Sequence, residues 1–64
     1  MVGKRIAKFR KEKGWTQKHL AKATGLSKSY ISSIEEGKLP GIKTVVVIAE
    51  ALGVEAKELF EEDG

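Results

Sequence analysis

The chain has no cysteine and only one histidine, and each shortage removes a class of chemistry. Without thiols there is no disulfide framework, no thiolate zinc site and no sulfur nucleophile. His19 alone cannot assemble a metal site, so neither a metal nor any other cofactor is expected. Long apolar runs are also missing, and nothing approaches the roughly 20 residues of a membrane span. The stretch Met1-Val2-Gly3-Lys4-Arg5 leads into charged sequence without the apolar segment of an export signal. The expectation is a cytoplasmic protein with no membrane role. What remains is one small domain of 64 residues, 41% of them hydrophobic. A chain of this length hides about 60% of its unfolded surface, so its core is thin and comes from apolar side chains alone or from a partner chain.

The net charge of +3 conceals an asymmetry. Residues 1–34 carry nine cations against Glu12 alone, a net +8, whereas residues 35–64 carry three cations against eight acids, a net −5. The first half attracts a polyanion; the alternative is an ordinary solvated face rich in lysine.

Glycines and hydroxyl residues divide the chain into five helical units, an all-α architecture. Val2, Ile6 and Phe9 recur at helical spacing from Val2 to Lys13, and Gly14 supplies a left-handed stop. Thr16 caps a second helix, Gln17 to Thr24, with Trp15 positioned to staple onto Leu20. Gly25 ends it, Leu26 is an apolar plug, and Ser27 caps a third helix running from Lys28 to about Glu36, with Ile31 and Ile34 inward. Lys38-Leu39-Pro40-Gly41 reads as a loop. Ile42, Val45, Ile48, Ala49 and Leu52 mark the inward face of a fourth helix, stopped by Gly53. A fifth, about Ala56 to Glu62, offers Leu59 and Phe60 to the core. The β-branched run Val45-Val46-Val47-Ile48 is not read as a strand, because its neighbours restore the helical period and it has nothing to pair with.

Gln17 to Glu36 is two short helices joined by Gly25-Leu26-Ser27, a joint too short for antiparallel packing, so the helices cross steeply. Small Ala21 suits that crossing. Lys28, Ser29, Ser32 and Ser33 are left on the outer face of the second helix of the pair.

The run Arg10-Lys11-Glu12-Lys13-Gly14-Trp15-Thr16-Gln17, with Leu20-Ala21, Gly25-Leu26-Ser27, Tyr30-Ile31-Ser32, Ile34-Glu35 and Gly37-Lys38, resembles the helix-turn-helix domain of phage repressors and Cro proteins, the Xre-like family. Ile48-Ala49, Ala51-Leu52-Gly53-Val54 and Glu58-Leu59-Phe60 are similar to its closing helices, so the resemblance covers nearly the whole chain. It implies one compact five-helix, lambda-repressor-like domain over residues 1–64, with the helix-turn-helix at about 17–36 and an acidic tail at 61–64. It also implies sequence-specific binding of double-stranded DNA by a transcription regulator, a repressor, whose third helix lies in the major groove. Residue by residue, Lys28, Ser29 and Ser33 take base readout, chemistry that suits a lysine ammonium on guanine O6 and N7 and versatile serine hydroxyls. Thr16, Gln17, Ser27, Tyr30, Lys38 and Lys43 take the DNA backbone. Arg10 and Glu35 match positions that pair to tie the first helix to the third; otherwise they are two ordinary surface charges.

Three departures stand out. His19 occupies the usual position of a glutamate, which removes the reciprocal half of a capping box with Thr16 and adds a donor near phosphate. Glu36 puts an acid at the end of the recognition helix. The loop from Gly37 to Ile42 is one residue short, with Gly41 in place of a capping serine.

Val47 lies about 200° around the fourth helix from Val45 and is expected to be exposed. Val46, Val47, Leu39 and Phe60 form a candidate partner surface, for a homodimer that reads a palindromic operator or for another protein. The acidic tail is a second candidate for a protein partner, or a solubilising end. Competing readings are an antitoxin that binds both DNA and a toxin, and an interaction module that has lost DNA binding. An enzyme is the remotest, since there are no paired carboxylates and no nucleophile with a base, and Gly25-Leu26-Ser27-Lys28 lacks the spacing of a phosphate loop.

Overall fold

The computed structural model describes residues 2–61, so Glu62, Asp63 and Gly64 of the expected tail lie outside the described residues. Five helices follow one another: α1 (Val2–Glu12), α2 (Gln17–Thr24), α3 (Lys28–Glu35), α4 (Ile42–Leu52) and α5 (Ala56–Phe60). The described residues contain no strand. Glu36 caps α3 rather than extending it, and α5 stops at Phe60 instead of continuing to Glu62.

Every helix supplies at least one side chain to a single core. Ile6, Leu20, Ile31, Ile34, Val45, Ile48 and Leu59 are fully buried, each contributing about 1.5–3 kcal/mol relative to an exposed position. Phe9, Trp15, Leu26 and Tyr30 pack around this set. α1 packs on α3 and α5, α2 on α3 and α4, and α4 on α5. A five-residue helix has no stability of its own. α5 is held by Leu59 and by Arg5, whose Nε donates to the Glu58 carbonyl at 3.0 Å.

The α1–α3 crossing is close. A Cβ on Gly3 would overlap the Ile34 carbonyl oxygen, so only glycine fits there.

Two residues expected in the core point outward. Ile42 is 65% exposed and Phe60 49%. Ile42 lies within the apolar arc of α4 but in its first turn, which overhangs the core. Phe60 follows Leu59 directly, and adjacent helical residues diverge by about 100°, so α5 can bury only one of them deeply.

Candidate nucleic-acid interface

The turn between α2 and α3 aims α3. Gly25 takes φ 77°, the left-handed region that closes α2, and its N–H donates to the Ala21 carbonyl at 2.9 Å. Thr24 Oγ1 donates to the Leu20 carbonyl at 2.8 Å and accepts from the Leu26 N–H at 3.3 Å, so the joint is bonded on both sides. Ser27 then caps α3, its Oγ accepting from the Tyr30 N–H at 3.0 Å. Burial of Ile31 and Ile34 fixes the rotation of α3 about its axis. Lys28 and Ser29 consequently face solvent, with Ser32 and Ser33 half-buried beside them. Ser33 Oγ donates to the Ser29 carbonyl at 3.0 Å, leaving its oxygen as an acceptor.

The start of α2 corrects the expectation at His19. Thr16 Oγ1 accepts from the His19 N–H at 3.1 Å, and His19 Nδ1 accepts from the Thr16 N–H at 3.2 Å. The reciprocal box is therefore present, with an imidazole nitrogen in the role of the carboxylate oxygen.

Behind this surface, Glu35 gathers three helices. Arg10 Nε donates to its Oε2 at 2.8 Å and Arg10 Nη2 to its Oε1 at 3.0 Å, a two-pronged pair. Gln17 Nε2 donates to the same Oε1 at 3.1 Å. Arg10 Nη1 also donates to the Trp15 carbonyl at 2.7 Å, which fixes the α1–α2 connection. The two charged side chains are only 10% and 8% exposed. Gln17 is thus a tie between α2 and α3 as well as the residue that opens α2. Neither this tie nor the Trp15 contact was legible in the sequence; the glutamate at the end of α3, with arginine and glutamine both upstream, is the one available cue.

The remaining candidates lie further out. Tyr30 is half-buried, with the Lys38 ammonium 5.2 Å from its ring centroid. Lys43 is exposed in the first turn of α4, where it lines a shallow groove of about 340 Å³ with Ile42, Val46 and Val47. Val46 and Val47 are 41% and 38% exposed, and Leu39 is 78% exposed. Glu36 is exposed beside the end of α3. Among the described residues no helix is long and apolar enough to cross a membrane.

Residues 6–59 match the helix-turn-helix family. The chain belongs to it, in the Xre-like branch. This helix-turn-helix chain is 39% identical to the transcriptional regulator SinR of Bacillus subtilis over 64 residues, which are 97% of this chain and 58% of SinR. It is 38% identical to the immunity repressor of Bacillus phage phi105 over 63 residues, 97% of this chain and 44% of that protein. It therefore spans about half the length of these two relatives. The crystal structure of SinR, the master regulator for biofilm formation, in complex with DNA superposes with a TM-score of 0.90 at 38% identity, covering 95% of this chain and all of the other. The restriction-modification controller protein C.AhdI of Aeromonas hydrophila gives 0.88 at 35% identity, over 92% and 91% of the two chains. The family is one of transcription regulators and is typically not enzymatic.

Proposed function

We propose that this chain binds double-stranded DNA in a sequence-specific manner, α3 in the major groove, and represses transcription without catalysis at the bacterial nucleoid in the cytoplasm. One observation carries the reading. The capped N-terminal end of α3 turns Lys28 and Ser29 out from the buried Ile31 and Ile34, in a fold that superposes on SinR bound to DNA. Lys28, Ser29 and Ser33 read base edges. The N-termini of α2 and α3, with Thr16, Gln17 and Ser27, hold phosphates through unpaired backbone N–H groups and the positive dipole end. Tyr30, Lys38 and Lys43 extend that backbone contact. Arg10 and Glu35 touch no DNA and keep the two helix starts in register.

The exposed groove of Ile42, Val46 and Val47 favours an additional protein contact, which we assign to a second copy of the chain on DNA. Such a dimer reads a palindrome with half-sites about one helical turn apart. An antitoxin, or an interaction module without DNA binding, would use the same α4 face or the acidic tail.

Selection from random duplexes, sequenced after binding, tests this directly by reporting half-site, spacing and oligomer together. With about five phosphates neutralised per monomer, the logarithmic salt slope is expected at about −4 to −5. Lys28→Ala should relax preference at one base pair, worth about 1–3 kcal/mol, across otherwise similar sites. Salt-insensitive behaviour, or no enrichment of any duplex, would rule the reading out.

A further inference from the structure

α3 ends on a carboxylate, Glu36, that no other group in the fold uses. Its backbone is still in the right-handed helical region, φ −85° and ψ −8°, and its N–H donates to the Ser32 carbonyl at 3.0 Å, so the side chain leaves in helical register. Seven residues make nearly two turns, which brings Glu36 within about 20° of Ser29 around the axis and about 60° from Ser33. It is the last side chain on the face that carries Ser29 and Ser33 before the chain turns at Gly37, φ 130°. The side chain is exposed, and among the described residues it makes no hydrogen bond or ion pair. Glu35 beside it is different, because its carboxylate is taken up by Arg10 and Gln17. Lys4 lines the same shallow depression as Glu36 without pairing to it. A negative charge at a helix C-terminus is also opposed by the dipole. The fold therefore gains nothing from an acid at this position.

We propose that Glu36 is a specificity-determining residue, whose carboxylate accepts a hydrogen bond from the N4 amino group of a cytosine in the major groove. The inference rests on the DNA-binding reading above and adds a base to what α3 recognises. A carboxylate has only lone pairs to offer, so it needs a donor on the base edge. Guanine presents O6 and N7 and thymine presents O4, all acceptors that repel it. Adenine presents its N6 donor beside the N7 acceptor, and cytosine alone presents a donor without an acceptor of its own. Reach is provided by the short residues between the ends of α3. Ser29, Ser32 and Ser33 let the helix axis lie close to the base edges, and the longer Lys28 and Glu36 then extend to either side. The two are eight residues apart, about 12 Å along the axis, or between three and four base-pair steps. At a wrong base the carboxylate is left unpaired among phosphates, so Glu36 discriminates by penalty as well as by contact.

The experiment repeats the random-duplex selection with the native chain, Glu36→Ala and Glu36→Gln. It then measures the affinity of each for the native site and for the three single-base replacements of the cytosine. The native chain is expected to prefer cytosine there by about fivefold or more. Glu36→Ala should lose that preference and keep the rest of the site. It should also bind the three replaced sites about twofold more tightly at low salt, since the phosphates no longer face a like charge. Glu36→Gln, whose amide both donates and accepts, is expected to admit adenine at the same position. Identical base preferences in the three proteins would overturn the inference and leave the DNA-binding reading intact. So would uniformly tighter binding of Glu36→Ala to all four sites, or a native preference for any base other than cytosine at the position that Glu36→Ala alters. Enrichment of no duplex by the native chain would overturn both.

Discussion

The α2–α3 unit and the α4–α5 unit are each two short helices joined by a few residues, yet they are secured by different means. In the first, both helices begin on side-chain caps, Thr16 and Ser27, and Glu35 joins α2 and α3 to Arg10 on α1. In the second, α4 begins at Gly41 with no side-chain cap, and Ile42 overhangs the core. α5 is one turn that opens on an exposed Glu55–Glu58 capping contact and is tied to the rest by Leu59 and Arg5. The charge divides along nearly the same line, a net +8 before Glu35 and −5 from it onward. Polar fixation is thus concentrated beneath α3, the surface proposed to read bases, a task that needs side chains held to within about 0.5 Å. The other pair completes the core and leaves apolar side chains uncovered.

The sharpest way to break this contrast is to remove its hub. Glu35→Ala takes away the acceptor of three hydrogen bonds and leaves the Arg10 guanidinium buried without its counter-charge. The expected cost is about 3–5 kcal/mol in urea unfolding. Replacing both partners by apolar residues, Arg10→Met with Glu35→Leu, should recover much of that loss, because neither charge is then stranded. On the α4–α5 side the comparable carboxylate, Glu58, accepts the Glu55 N–H at 2.8 Å in an exposed setting, and Glu58→Ala should cost no more than about 1 kcal/mol. Equal losses from Glu35→Ala and Glu58→Ala would abolish the distinction between the two ends.

Next in size is the α1–α3 crossing that supports the same surface. Gly3→Ala drives a methyl group into the Ile34 carbonyl, a backbone atom that cannot rotate away, and should destabilise by about 1–3 kcal/mol. The test is the urea midpoint, with an unchanged slope showing that the fold is retained.

How far the sequence could be read follows the same division. α2 and α3 were legible almost to the residue because each is bracketed by a hydroxyl cap and a glycine or capping residue, signals with a local cause. The outward position of Lys28 and Ser29 follows from Ile31 and Ile34 at helical spacing. At His19 the sequence misleads, because a capping box is ordinarily a carboxylate or amide, whereas the geometry needs only a lone pair at that distance, which Nδ1 supplies. The Gln17–Glu35 bond was invisible because it depends on the angle at which α2 crosses α3, a tertiary quantity. For Ile42 and Phe60 only periodicity points inward. Periodicity gives the side of a helix a residue faces but not whether another element lies opposite, and at the two ends of the α4–α5 unit none covers them closely.

The smallest expected effects sharpen the comparison at single helix starts. Ser27→Ala deletes the acceptor of the Tyr30 N–H and should cost about 1 kcal/mol, lowering Tm by about 4–8 °C in a domain of this size. Gly41→Ser performs the converse at α4. Gly41 already has the extended N-cap backbone, φ −71° and ψ 163°, and a Cβ there meets nothing within 4 Å, so serine introduces neither strain nor a clash. Its hydroxyl can then accept from one of the orphan N–H groups of the first turn, and a gain of a few tenths of a kcal/mol is expected, about 1–3 °C in Tm. A Gly41→Ser variant no more stable than the native chain would mean that water already satisfies the start of α4. The missing cap would then account for none of the difference between the two helix pairs, and the ion-paired hub under α3 would have to account for all of it.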